Sequence, residues 1–167
     1  MTKIHLRPAT IDDMARVQAI YAHHVRNGTG SFEIEPPDLD EMKRRFGEVR
    51  MRNLPFLVAE IEGAIAGYAY ANLYRPRAAY RFTCEDSVYI DPSFHQRGLG
   101  HALLDALIAG CGQAGFKQMV AVIGGSDNKG SIRLHEKHGF VRVGLLPKVG
   151  FKFDRWLDSV LMQRELG

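Results

Sequence analysis

The sequence predicts an α/β protein built on a mixed sheet with helices packed on both faces, and three observations carry that prediction. Helical spacing and short strand-length apolar runs follow one another as strand, two helices, three strands, helix, strand, helix, two strands. The run "KQMVAVIGG" is apolar almost throughout, as in a strand buried on both faces. Glu62-Gly63 separates two apolar runs, which is a hairpin signal. No internal repeat or low-complexity linker interrupts the pattern, so residues 1–167 are expected to form one domain.

Each element has a local reason. "IHLRPA" is a short strand running into Pro8. In "TIDDMARVQAIYAHHVR", Thr10 stands where a cap is needed and Asp12 and Asp13 favour the first turn. Ile11, Met14, Val17, Ile20, Tyr21 and Val25 then recur at helical spacing. "NGTGSFEIEPPD" breaks the period, and "LDEMKRRFGEVRM" resumes it as a more polar helix. "PFLVAEIEGAIAGYAYANLY" makes the hairpin, "RPRAA" interrupts, and "YRFTCEDSVYID" is a strand stopped by Asp91-Pro92. A helix follows from about Gly98 to Gln113, then the apolar strand. The short helix "DNKGSIRLHEKHG" ends at Gly139, and "FVRVGLLPKVGFKFDRWLDSVLMQREL" holds the last two strands.

Composition narrows the function classes. Hydrophobic residues make up 46% and charged residues 25%, with a net charge of +3. That is not the dense basic stripe of a nucleic-acid binder, so no nucleic-acid partner is expected. No stretch approaches the roughly 18 apolar residues of a membrane span. The first residues lack a signal-peptide core, so the expected compartment is the cytoplasm, with no membrane partner. Cys84 and Cys111 lack metal-site spacing and are expected to stay reduced, Cys111 as a core residue. His23 and His24 lie beside apolar positions and do not form a metal motif, so no metal is expected.

The chemistry concentrates around "HQRGLGHALLDALIAG", His95 to Gly110. A helix start offers unpaired N–H groups and the positive end of a dipole, and glycines let a phosphate approach that backbone closely. Arg97 adds charge, and Gly98 and Gly100 clear space. The Walker spacing is absent and a dinucleotide fingerprint is incomplete, so on its own this stretch fits either a plain helix entry or an anion seat.

Together with "SVYIDPSF" before it and "SDNKGSIRLHEKHGF" after it, the stretch resembles the GNAT N-acetyltransferase family. That family's acetyl-CoA loop reads [QR]-x-x-G-x-[GA], which Arg97 to Ala102 satisfies, and its later Asn-plus-helix segment matches Asn128 to Phe140. "CEDSVYIDPSFHQRGLG", "GFKQMVAVIGGSDNKGSIRLHEKHGF" and "GFKFDRWLDSV" are similar to the phosphinothricin acetyltransferase branch.

The resemblance implies a central, mostly antiparallel twisted sheet. It implies a homodimer, to which the last strands with Trp156 would contribute. It also implies direct transfer of an acetyl group from acetyl-CoA, the cosubstrate, to the α-amino group of a small amino-acid-like acceptor such as phosphinothricin, methionine sulfoximine or methionine sulfone. Acetylation of another small amine or a protein N-terminus, and a non-enzymatic acetyl-CoA sensor, are the alternatives.

On the residues that match, the resemblance implies the following roles. The pantetheine arm pairs with the backbone of Val88, Tyr89 and Ile90, and the N–H of Val88 or Tyr89 serves the oxyanion. Gln96, Arg97, Gly98, Leu99, Gly100, His101 and Ala102 seat the pyrophosphate. Asn128 and Ser131 complete the cofactor side, and Asn128 is equally suited to cap the helix that follows. Glu85 is the general base, with a surface glutamate as the bland alternative; Asp86 would point to the opposite face of a regular strand. His135 either protonates the departing thiolate, positions water or substrate, or faces solvent. Phe32, Arg75, Pro76, Arg77, Glu85, Asp86 and Ser87 are the candidate acceptor residues, the arginines as forks for a carboxylate and a second polar group.

Overall fold

The computed structural model describes residues 2–167. Its seven strands form one mixed sheet in the order β1-β2-β3-β4-β5-β7-β6, made of β1 (Ile4–Pro8), β2 (Phe56–Ile61), β3 (Ala64–Leu73), β4 (Thr83–Ile90), β5 (Gln118–Gly124), β6 (Val141–Lys152) and β7 (Arg155–Glu165). All neighbours are antiparallel except β4 and β5. The helices are α1 (Met14–Asn27), α2 (Leu39–Met51), α3 (Leu99–Gln113) and α4 (Lys129–Lys137). This is the order of elements read from the sequence. No helix among the described residues is long and apolar enough to cross a membrane.

Local chemistry accounts for most boundaries. Thr10 is the N-cap, as expected: its N–H and hydroxyl donate to the Asp13 carboxylate at 2.7 and 3.3 Å, Arg7 grips that carboxylate at 2.8 Å, and the capped segment is a single 3₁₀ turn before α1. The Asp38 carboxylate accepts from the Glu41 N–H at 2.9 Å and starts α2. Glu62 and Gly63 both have positive φ (51° and 82°), as a two-residue hairpin turn with the sheet's own twist requires.

The strand alternation of β4 sorts its side chains to two faces. Tyr89 meets Tyr21 of α1, with ring centroids 5.1 Å apart, so Glu85, Ser87 and Tyr89 point toward α1 and α2. Cys84 points the other way, against Cys111 of α3, and both thiols are fully buried. Leu99, Leu103, Leu104 and Leu107 line the inner face of α3 and are no more than 2% exposed.

The parallel pairing of β4 and β5 is short. Thr83, Cys84 and Glu85 face Gln118, Met119 and Val120, and there it stops. Beyond this point β4 stays with β3 up to Ile90, and β5 stays with β7 up to Gly124. The two strands therefore diverge at the middle of the sheet. One consequence corrects the expectation of a strand buried on both sides: Val122 of β5 is 42% exposed, because its side chain borders the gap left between the two strands.

Candidate active site

The divergence of β4 and β5 opens a cleft of about 860 Å³. Its walls are the upper half of β4, the end of β5, the entry to α3, α4, and the loop after α1.

The β4 wall presents unpaired backbone. Tyr74 donates to the Thr83 carbonyl and Asp91 donates to the Ala66 carbonyl, so the odd-numbered residues of β4 spend their main-chain groups on β3. The even-numbered residues turn theirs toward the gap. Of the two oxyanion donors considered, the Val88 N–H thus faces the cleft and the Tyr89 N–H is engaged with β3, although the Tyr89 ring still lines the cavity. At the end of the strand the Ile90 carbonyl accepts from His24 Nε2 at 2.7 Å.

At the entry to α3, Gln96 and Gly98 both have positive φ (61° and 78°), which turns the chain sharply and aims the first helical turn into the cleft. The Ala102 N–H is donated to the Gly98 carbonyl at 3.1 Å. The free donors of this turn are therefore those of Leu99, Gly100 and His101, and the Ala102 N–H is not among them: α3 has by then closed its first internal bond. Gly100 lies against Leu134 of α4: a Cβ there would be in ordinary contact with its methyl group at 3.4 Å. Gln96 and Arg97 line the mouth of the cleft, and the Arg97 guanidinium lies over the Phe94 ring at 5.4 Å. The Asn128 side chain accepts from the Ser131 N–H at 3.3 Å, so it caps α4, and both residues also border the cavity.

Glu85 and Asp86 leave opposite faces of β4, yet both reach the cleft because the sheet is open there. Burial first, and the charge of Asp86 second, push the Glu85 carboxyl up to about 7 against the opposing charge of Arg75. Asp86 is buried and meets His135 Nε2 at 2.7 Å through Oδ2, while its Oδ1 is buried without a partner. His135 is not a solvent-facing side chain. It is 5% exposed, and its Nδ1 donates to the Ser131 carbonyl at 2.7 Å. Burial lowers the imidazole pKa, but the hydrogen bond and charge of Asp86 and the Ser131 carbonyl outweigh it, and the net shift is upward. Both ring nitrogens are thus committed, and Asp86 is spent on His135.

Phe32 and Ser87 lie in the wall of the cleft, whereas Arg75, Pro76 and Arg77 lie outside it, exposed to solvent. The reason is local: the loop folds on itself, with Arg75 over the Tyr74 ring at 5.0 Å, Tyr74 against Tyr80 at 5.6 Å, and a 3₁₀ turn starting after Arg77. Arg75 reaches the site only through its charge at Glu85.

Sequence reasoning missed His24, Thr29 and Gly30 of the opposite wall. His24 was visible as a polar residue on the apolar side of α1, but nothing near it indicated a carbonyl contact 66 residues away. Among the described residues, no group of three or more His, Cys, Asp or Glu side chains is placed to hold a metal ion.

The model of the acetyltransferase (GNAT) family matches residues 17–140. A phosphinothricin N-acetyltransferase from Alcaligenes faecalis is 55% identical over 93% of this chain and 79% of its own length. An L-methionine sulfoximine/L-methionine sulfone acetyltransferase from Salmonella typhimurium is 37% identical over 96% of this chain and 94% of its own. The crystal structure of a GNAT superfamily phosphinothricin acetyltransferase from Sinorhizobium meliloti, in complex with acetyl-CoA, superimposes with a TM-score of 0.96 at 45% identity, covering 100% of this chain and 90% of that one. The split between β4 and β5, the glycine-bordered entry to α3 and these matches together place the chain in the acetyltransferase (GNAT) family.

Proposed function

We propose that this protein transfers the acetyl group of acetyl-CoA directly to the α-amino group of a small amino-acid-like acceptor of the phosphinothricin, methionine sulfoximine or methionine sulfone type. The observation that carries the reading is the gap between β4 and β5. It has unpaired backbone on one wall, a helix entry at one end, and a carboxyl raised to about 7 within it.

The thioester arm pairs along the even-numbered residues of β4, and the pyrophosphate rests on the free N–H groups of Leu99, Gly100 and His101, with Arg97 at the mouth. An ammonium bound near Glu85 loses its proton to that carboxylate, directly or through water. The free amine attacks the thioester carbon, and the Val88 N–H donates to the oxyanion. The carbon–sulfur bond then breaks, and the thiolate takes up the proton that the nitrogen sheds as the amide forms, directly or through water. His135 holds Asp86 in place and so keeps that charge beside Glu85, a supporting role that fits its two committed nitrogens. Arg75 and Arg77 attract an anionic acceptor from outside the cleft.

The proposal includes a homodimer acting in the cytoplasm. Strand β6 is an edge strand, and Val141, Val143, Leu145, Val149, Phe151 and Trp156 of the last hairpin are each more than half exposed. A row of apolar side chains on an open sheet edge is suited to covering by a second copy.

Release of free thiol from acetyl-CoA tests the function, with phosphinothricin, methionine sulfoximine, methionine sulfone, the common amino acids and an alanine-terminated peptide as acceptors. Release with the first three and not with the peptide is expected. Release with the peptide alone would move the reading to a protein substrate, and acetyl-CoA binding without release to any acceptor would move it to a sensor.

A further inference from the structure

Lys152 is a buried lysine with no carboxylate in salt-bridge contact, although the charge of Glu33 in the facing loop attracts it. It sits at the end of β6, is 4% exposed, and spends one of its N–H groups on the Ser31 carbonyl at 2.8 Å. Burying an ammonium is costly unless it is paired, and an apolar side chain would cover the same space at no such cost. Among the described residues, its hydrogen-bonded contact is with the loop after α1, the loop that carries Phe32 into the cleft wall.

The seat of Phe32 is unusual. Its ring lies across β7 and rests on two glycines: a Cβ at Gly150 of β6 would stand 2.6 Å from Cε2, and a Cβ at Gly124 of β5 would stand 2.7 Å from Cε1. Real side chains do not approach that closely, so both positions must be bare for the ring to lie where it does. The inner side of the loop is fixed separately. The Ser31 hydroxyl meets the Tyr21 hydroxyl at 2.8 Å and accepts from the Glu33 N–H at 3.2 Å, and Arg45 holds Glu33 at 2.6 Å. On the outer side, Lys152 is the hydrogen-bonded tie.

We propose that Lys152 is a positioning residue for acceptor binding: its ammonium clamps the Ser31 carbonyl to the outer hairpin and so keeps Phe32 in the two-glycine slot at the acceptor end of the cleft. This rests on the proposed function for what the cleft binds, but the clamp itself is a statement about the loop. The arrangement links the acceptor wall to the same strand whose outer face is open to a second copy.

The test is Lys152→Met, which keeps length and burial and removes the donor, alongside Gly150→Ala, which pushes on the ring while leaving Lys152 intact. For both variants the Michaelis constant for the acceptor should rise at least tenfold. Turnover at saturating acceptor, and the Michaelis constant for acetyl-CoA, should stay within twofold. Amide hydrogen exchange of residues 28–33 should quicken in Lys152→Met, while that of α3 stays as in the parent. Gly150 is buried beneath the Phe32 ring, so its variant reads the ring's seat alone; if Lys152→Met does not fold, Lys152→Gln, which is polar but too short to keep the bond, takes its place with the same expected outcomes. Equal rises in both Michaelis constants, or unchanged exchange at 28–33 in Lys152→Met, overturn the clamp. If the parent protein acetylates no acceptor, the functional reading fails, and the exchange experiment still decides the clamp.

Discussion

Glu85 offers a quantitative test of the proposed chemistry. Its carboxyl is raised from the ordinary 4.5 to about 7 by burial, with Asp86 adding to the effect and Arg75 opposing it. Only the ionised form can accept a proton. With a pKa near 7, about one side chain in ten is ionised at about pH 6 and about nine in ten at about pH 8, so turnover should climb nearly tenfold over that interval. An ordinary exposed glutamate would be ionised throughout and would leave the profile flat. The amine acceptor also titrates, so the quantity to measure is the ratio of parent to Glu85→Gln turnover at each pH. Glu85→Gln should lower turnover by roughly 10²- to 10⁴-fold at about pH 8 and leave the Michaelis constant for acetyl-CoA unchanged.

The same shift has a stability signature. Between 4.5 and about 7 the folded state binds more protons than the unfolded state, so stability falls as pH rises through that window. Above it, the parent carries an unfavourable ionised carboxylate, and Glu85→Gln should be the more stable protein by up to roughly 3 kcal/mol, less what partial solvent exposure relieves. A variant that keeps full turnover across this range, or a ratio that does not change with pH, would refute Glu85 as the base.

Other consequences are as direct. Asp86→Asn should move the acid limb of that profile to lower pH without returning it to 4.5, because burial is the larger cause and remains; the same kinetic assay reads this. His135→Ala strands a buried carboxylate and should cost about 3–5 kcal/mol by denaturant unfolding, whereas pairing it with Asp86→Ala should cost much less than the two losses added together. Gly98→Ala forces a side chain into a left-handed conformation at φ 78°, which should cost about 1–2 kcal/mol and raise the Michaelis constant for acetyl-CoA before that for the acceptor. Val143→Asp with Leu145→Asp should shift the protein toward monomer in analytical ultracentrifugation, with the far-ultraviolet spectrum unchanged, because both side chains are more than half exposed on the edge strand.

Much of the architecture was legible because it is local. The turn of Glu62 and Gly63, the helical spacing of α1 and the stop of β4 before Asp91-Pro92 each follow from neighbouring residues and need no distant partner. The entry to α3 was legible for the same reason: its glycines, positive φ angles and free N–H groups belong to one short segment. Even there the boundary of the seat was one residue off, since whether the Ala102 N–H is free depends on where the first internal helix bond closes.

What escaped the sequence was long-range. The exposed Val122 in an apolar strand and the pairing of His135 with Asp86 across 49 residues have no local signature. Neither do the tie from Lys152 to Ser31 across 121 residues and the outward turn of Arg75 and Arg77. From the residues alone came the order of elements and the glycine-bordered turn that opens α3. The tertiary structure alone decided where β4 and β5 part company, because strand length is written locally while the extent of a parallel pairing depends on how the crossover helix packs. That parting converts a strand edge into a cleft, buries Glu85 enough to raise its pKa, and commits His135 to Asp86.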